Sequence, residues 1–175
     1  MNQYKPFETP DGRQITVRPI NKNDGDLLIE LFRNLSSETK RFRYNANMDH
    51  ISDEIVHQES RRLSNLDPNL HFALIAFSTS PEAEEPIGVA RFARLSENGA
   101  EAEVAIVIRD DFQAQGLGRR LLAMLTRVAC RRNINRFVFM TTSDNTPMIK
   151  LVKDVWSDVE IDNQQNDREI WATIC

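Results

Sequence analysis

Gln113, Gly116 and Gly118 stand in the spacing Q-x-x-G-x-G, and Arg119 and Arg120 follow at once. Where such a run opens a helix it makes an anion cradle. The first backbone N–H groups of a helix have no partner within it, and the helix dipole places partial positive charge at that end. Glycines let backbone approach a ligand, and the two arginines add full charge, so a phosphate or pyrophosphate fits. The run is not a Walker A loop, since no Gly-Lys-Ser/Thr follows. It is not a dinucleotide fingerprint, since the first glycine of GxGxxG is missing.

The elements needed to hold that cradle are legible on both sides of it. Val104 to Ile108 is apolar and mostly β-branched, which suits a strand buried on both faces. Beyond the loop, Leu117, Leu121, Leu122, Leu125, Val128 and Ala129 mark an amphipathic helix to about Arg132. Upstream, residues 14–20 alternate as a strand, and Asn23 or Asp24 caps a helix carrying Leu27, Leu28, Leu31, Phe32 and Leu35. A short helix restarts at residues 36–39 and runs through Tyr44. A third begins at Ser52, with Ile51 and Val56 as a hydrophobic staple. Strands follow at residues 71–77 and 87–95, separated by an acidic loop at 78–86 that contains Pro81 and Pro86. A turn at 96–99 then leads into the central strand. After the glycine loop and its helix come a strand near 135–140, a helix from Thr146-Pro147 with Met148, Leu151, Val152 and Val155 on one face, and a closing hairpin of residues 156–161 and 169–174.

At 175 residues the chain reads as a single domain, residues 1–175, with ordinary hydrophobic and charged fractions. A net charge of −4 and a pI near 5.4 argue against general nucleic-acid binding. No apolar run approaches the length of a membrane span, and the polar start carries no secretory signal. Cys130 lies on the apolar side of a helix and reads as core, and Cys175 is the last residue. A structural disulfide is not expected, and a reducing cytoplasm is the default. His50, His57 and His71 have no metal-ligand spacing, so no metal site is expected.

The order β-α-α-α-β-β-β-α-β-α-β-β, with Gln113, Gly116 and Gly118 after its fourth strand, resembles the GNAT N-acetyltransferase superfamily over about 160 residues. ITVRPI, LSSETKRFRY and AEVAIVIRDDFQAQGLG resemble the Pat-like protein lysine acetyltransferase branch. The resemblance implies an α/β (α+β) fold with a mixed central sheet of about seven strands flanked by helices, and acetyl-CoA held at a splayed central strand. It also implies backbone pairing of Ile106, Val107 and Ile108 with the pantetheine arm beside a bulge, pyrophosphate binding by Gln113, Ala114, Gln115, Gly116, Leu117, Gly118, Arg119 and Arg120, and a contact from Asn145, which otherwise reads as a helix cap.

Transfer of acetyl to an amine needs the amine neutral. A lysine amine, with a pKa of about 10.4, is mostly protonated at neutral pH, so a base helps. The resemblance gives that role to Glu103, with Glu101 in reserve. The tyrosine that many GNAT members use as general acid has no counterpart in residues 145–155, and Tyr4 and Tyr44 lie far upstream. Val155-Trp156 replaces the usual Gly-Phe, which puts the acceptor side in question. The acceptor site is expected at residues 35–47 and 162–168. The implied acceptor is a protein lysine, with a small amine or polyamine second. A homodimer is compatible with the sequence, and a non-catalytic acyl-CoA-binding regulator is the alternative from another class.

Overall fold

The computed structural model describes residues 4–79 and 83–175. Eight strands form one sheet in the order β1-β2-β3-β4-β5-β6-β8-β7. They are β1 (Phe7–Glu8), β2 (Gln14–Pro19), β3 (His71–Thr79), β4 (Glu84–Arg94), β5 (Glu101–Ile108), β6 (Arg136–Thr142), β7 (Val159–Gln164) and β8 (Asp167–Thr173). Helices α1 (Gly25–Arg33), α2 (Ser37–Tyr44) and α3 (Asp53–Ser64) precede β3. Helix α4 (Leu117–Arg131) follows β5, and α5 (Thr146–Val155) follows β6. All strand pairs are antiparallel except β5–β6, which α4 crosses over to make parallel. The sequence gives no apolar alternation at Phe7–Glu8, so the eighth strand appears only once β1 pairs with β2.

The apolar residues divide by strand parity between the two sheet faces. On one face Phe92, Ala102, Val104, Phe137 and Phe139 meet Leu117, Leu121, Leu122 and Leu125 of α4. Each leucine is essentially fully buried, which stabilises by roughly 1.5–3 kcal/mol apiece. On the other face Ile75, Phe77 and Val89 meet Leu28, Leu31 and Leu35 from α1 and the residues after it. Arg18 holds that layer at its edge. Its guanidinium donates to both carboxylate oxygens of Asp24 at 2.6 and 2.9 Å, and the N–H of Asn21 donates to the same carboxylate at 2.8 Å.

Three expectations are corrected by these coordinates. The loop expected at 78–86 is shorter, because β3 extends to Thr79 and β4 starts at Glu84; its tip, 80–82, lies outside the described residues. Pro86 is inside β4, where the register shifts opposite Ala76 and Phe77, one of the few places a strand tolerates a proline. Trp156 is not in a strand. It follows α5 and packs on Phe137 and Phe139 with ring centroids 5.9 and 5.7 Å away, so the closing hairpin starts at Val159. Finally, Cys130 and Cys175 are joined by a disulfide. Strand β8 pairs with β6, which carries the residues after it back to the last turn of α4, a juxtaposition hidden by 45 residues of separation. The argument for a reducing compartment from unpaired thiols therefore falls. Among the described residues no helix is long and apolar enough to cross a membrane.

Candidate active site

Strands β5 and β6 pair only at Glu101↔Arg136, Ala102↔Phe137 and Glu103↔Val138. Beyond that point β5 stays paired with β4 as far as Ile108, and β6 stays paired with β8 as far as Thr142. The two strands part as a V. The edge of β5 from Val104 to Ile108 thereby faces a cleft of about 1440 Å³, with Met140, Thr141 and Asn145 on the opposite wall. Unpaired backbone on a strand edge needs a partner, and an extended ligand arm supplies one. The expected splay and the exposure of Ile106, Val107 and Ile108 to the cleft are present. The expected bulge is not on this strand: β4–β5 register is continuous, and the irregularity among the described pairings lies between β3 and β4.

The N-terminus of α4 closes the mouth of the V. Gly116 is its cap residue with φ of +80°, no side chain caps the helix, and no acidic residue lies in its first turn. The first helical hydrogen bond runs from the Arg120 N–H to the Gly116 carbonyl, so the N–H groups before it lack intrahelical partners. Gln113, Ala114, Gln115, Gly116, Gly118, Arg119 and Arg120 all line the cleft.

The two glycines also have separate structural jobs. A Cβ on Gly116 would meet nothing within 4 Å, so the backbone conformation is what requires glycine. A Cβ on Gly118 would come within 3.0 Å of Leu151 Cδ2 and 3.3 Å of Ile108 Cδ1, so Gly118 lets α4 pack against α5 and β5. Leu117 is 1% exposed and its side chain is core. Gln113 turns its amide inward and donates to the Ile108 carbonyl at 3.0 Å and to Thr39 Oγ1 at 3.1 Å, which fastens the loop. Arg119 stands 3.7 Å from Asp154, and Arg120 lies over the Phe7 ring. Asn145 behaves as the cap it also resembled. Its oxygen accepts from the Met148 N–H at 3.2 Å, and its amide donates to Thr141 Oγ1 at 2.9 Å.

Helix α2 is strapped across the V at both ends. The Asp110 carboxylate, after β5, accepts from the Ser36 N–H at 2.9 Å, the Ser36 hydroxyl at 2.6 Å and the Thr39 hydroxyl at 2.7 Å. Burial pushes the Asp110 carboxyl up, but these hydrogen bonds outweigh it and hold the pKa below the usual value. Arg41 pairs with Asp144, before α5, at 2.8 Å. Of the basic segment expected at the acceptor side, Thr39, Phe42, Arg43 and Tyr44 line the cleft. Residues 162–168 contribute nothing to that wall. Strands β7 and β8 add to the sheet outside β6, on the far side from β5.

Glu103 sits at the vertex of the V, exposed to the cleft, on the same sheet face as Ala105, Val107 and Arg91. Glu101 shares its parity but is held by Arg136 at 3.5 Å and lies outside the cleft wall. Sequence reasoning placed Arg43 and Tyr44 in the expected 35–47 segment but missed Arg91. Arg91 interrupts the apolar run of β4, which was its only signal, and Tyr44, distant in sequence, stands in the cleft wall. Among the described residues no group of three His, Cys, Asp or Glu is placed to hold a metal ion.

Comparison with known proteins bears on this geometry. A family model for the acetyltransferase (GNAT) domain matches residues 14–155. An acetyltransferase of Pseudomonas aeruginosa is 27% identical over 138 residues, covering 79% of this chain and 72% of its own. The structure of the GNAT domain of S. lividans PAT superimposes with a TM-score of 0.80 at 26% identity, covering 97% of this chain and 96% of that one. The PaiA N-acetyltransferase of Thermoplasma acidophilum, solved in complex with coenzyme A, shares the fold with a TM-score of 0.63 at 16% identity, covering 91% and 98%.

Proposed function

The chain belongs to the GNAT acetyltransferase family, and from that premise we propose that it transfers acetyl from acetyl-CoA directly to a primary amine, with Glu103 as general base. The observation that carries the proposal is the V between β5 and β6. It opens at Glu103, runs along the free edge of β5, and ends at the uncapped N-terminus of α4.

The residues fit the cosubstrate. The β5 edge, Val104 to Ile108, is the backbone that would hold an extended arm carrying amides. The N–H groups at the start of α4, with Arg119 or Arg120 nearby, would hold the diphosphate. Acetyl-CoA supplies an activated thioester, whose thiolate leaves readily because a thiol pKa is only about 8.5. Glu103, at the vertex, is the carboxylate placed to take a proton from the incoming ammonium, directly or through one water. The resemblance of ITVRPI, LSSETKRFRY and AEVAIVIRDDFQAQGLG to the Pat-like protein lysine acetyltransferase branch supports a protein lysine as the acceptor.

The test follows CoA release across proteins and small amines, beside thermal melting with acetyl-CoA. Glu103→Gln is expected to keep the acetyl-CoA-induced rise in Tm and to lower kcat by about 10²–10⁴-fold. Unchanged turnover would reject Glu103 as the base. A Tm that acetyl-CoA does not move would reject the site. Acetyl-CoA binding without turnover on any amine would favour a regulator that reads acyl-CoA.

A further inference from the structure

The cleft wall carries two guanidinium groups, Arg43 and Arg91, and Arg43 lies over the Tyr44 ring. Arg91, on β4, lies between Ala73 of β3 and Ala105 of β5, so small neighbours leave open space above it. Arg43, on α2, lines the same space from the opposite side. Among the described residues neither guanidinium has a hydrogen bond or a carboxylate within ion-pair distance, although Glu103 and Glu59 act on Arg43 electrostatically. Glu59 is taken by Arg62, at 2.8 Å. The Arg91 Nε is fully enclosed and unpaired. An atom so enclosed is out of a ligand's reach, as are the equally unpaired Arg13 Nε and Arg168 Nε, so a ligand in the cleft would meet the outer nitrogens of the Arg91 guanidinium. Burial, with the positive charges of Arg43 and Arg62, pulls the Arg91 pKa down to about 10 against the opposing pull of Glu103.

A second cavity of about 160 Å³ opens from this point between the sheet and helices α1 and α3, and it shares Arg43, Tyr44, Glu59, Leu63, Arg91 and Val107 with the large cleft. Its remaining wall is almost wholly apolar, with Leu28, Leu31, Leu35, Ile51 and Val56 among it. A cavity of about 150 Å³ with such a lining is enough for a benzene ring. Three features thus converge: a base at Glu103, an unpaired pair of arginines beside it, and an apolar chamber sized for one side chain.

We infer that this site takes a free α-amino acid with an apolar side chain, whose carboxylate docks on Arg43 and Arg91, whose side chain enters the chamber, and whose amine is presented at Glu103. This rests on the acetyltransferase reading, and a lysine-bearing peptide is the rival acceptor for the same site. Arginine suits a carboxylate because its fork makes two parallel, charge-assisted bonds. A polyamine would bring a further positive charge up to the same pair and be repelled. The reaction forms the amide bond between the α-nitrogen and the acetyl carbonyl and breaks the thioester; of the three ammonium protons one stays on the amide nitrogen, one goes to Glu103 or water, and one goes to the departing thiolate.

The experiment measures CoA release by the full chain with L-leucine, L-methionine, L-phenylalanine, leucinamide, 3-methylbutylamine, spermidine and a lysine-containing peptide. Leucine is expected to exceed leucinamide and 3-methylbutylamine in kcat/KM by about 10–100-fold, the range of a charge-assisted hydrogen-bonded pair. Arg91→Met is expected to bring the leucine-to-leucinamide ratio below about threefold, whatever happens to the absolute rates. Equal rates on leucine and leucinamide in the native chain, or preference for the peptide or spermidine, would overturn the inference and leave amine acetylation standing. No turnover on any amine would remove both.

Discussion

Gly116 is the most exacting position in the anion cradle, and its replacement tests the account of why the cradle forms. It caps α4 with φ of +80°, where an L side chain is strained. A Cβ there meets no atom within 4 Å, so Gly116→Ala introduces no clash. The whole cost is conformational, about 1–2 kcal/mol for a left-handed alanine. For a chain of this size each kcal/mol moves Tm by about 2–4 °C, so Gly116→Ala should melt about 2–8 °C below the native chain. Asparagine tolerates the left-handed region better than alanine, so Gly116→Asn should recover part of the loss despite its larger side chain. Thermal melting of the three chains by circular dichroism, with and without acetyl-CoA, makes the comparison. If Gly116→Asn melts below Gly116→Ala, space and not backbone angle is limiting. If Gly116→Ala melts with the native chain, the left-handed cap carries no energy. Either result refutes the argument.

Other expectations follow from the same geometry. Asp24 is buried, which raises its pKa, but bidentate pairing with Arg18 and the Asn21 N–H outweigh burial and hold it below the ordinary value. Its stabilisation is therefore present above the unfolded carboxylate pKa of about 3.9 and is lost as pH falls through the folded value. Asp24→Ala should cost about 3 kcal/mol at pH 7 by stranding Arg18, with the deficit constant down to about pH 5 and shrinking below pH 4; urea melts across that range check it, and a pH-independent deficit would refute the linkage. The Cys130–Cys175 bond closes a loop of 45 residues, worth about 4 kcal/mol by chain entropy, so reductant or Cys130→Ser should lower Tm by about 8–16 °C. Two reactive thiols in the denatured, unreduced chain would refute that bond.

Much of this molecule is written locally. The run from Val104 to Arg120 announces a buried strand, a loop and a helix because apolar periodicity, glycine and charge act within a few residues. Two helix caps are equally local: Ser36 and Ser52 accept from the N–H groups three residues on, as their types predict, whereas the carboxylate of Asp24, expected to cap α1, is taken by Arg18 and the Asn21 N–H and makes no cap bond. Asn145 is legible as a cap for the same reason.

What the sequence could not carry is set by which strand lies beside which. Phe7–Glu8 becomes a strand only through β2, and Trp156 becomes core only because Phe137 and Phe139 lie under it. Cys130 finds Cys175 only after β8 pairs with β6. Gly118 lines the cleft as its motif suggests, but the packing of Leu151 and Ile108 against it is set by tertiary structure alone. Arg91 reads as one charge in an apolar strand, and Arg43 as one more basic residue on a polar helix. Sheet register sets Arg91 between two alanines, on the face that bears Glu103, and the two carboxylate straps bring α2 and Arg43 over it. Local preferences are fixed by bonded neighbours and decay within a turn or a strand. The cleft wall that holds Arg43, Arg91 and Glu103 is assembled from segments up to 60 residues apart and exists only once the sheet has closed its register.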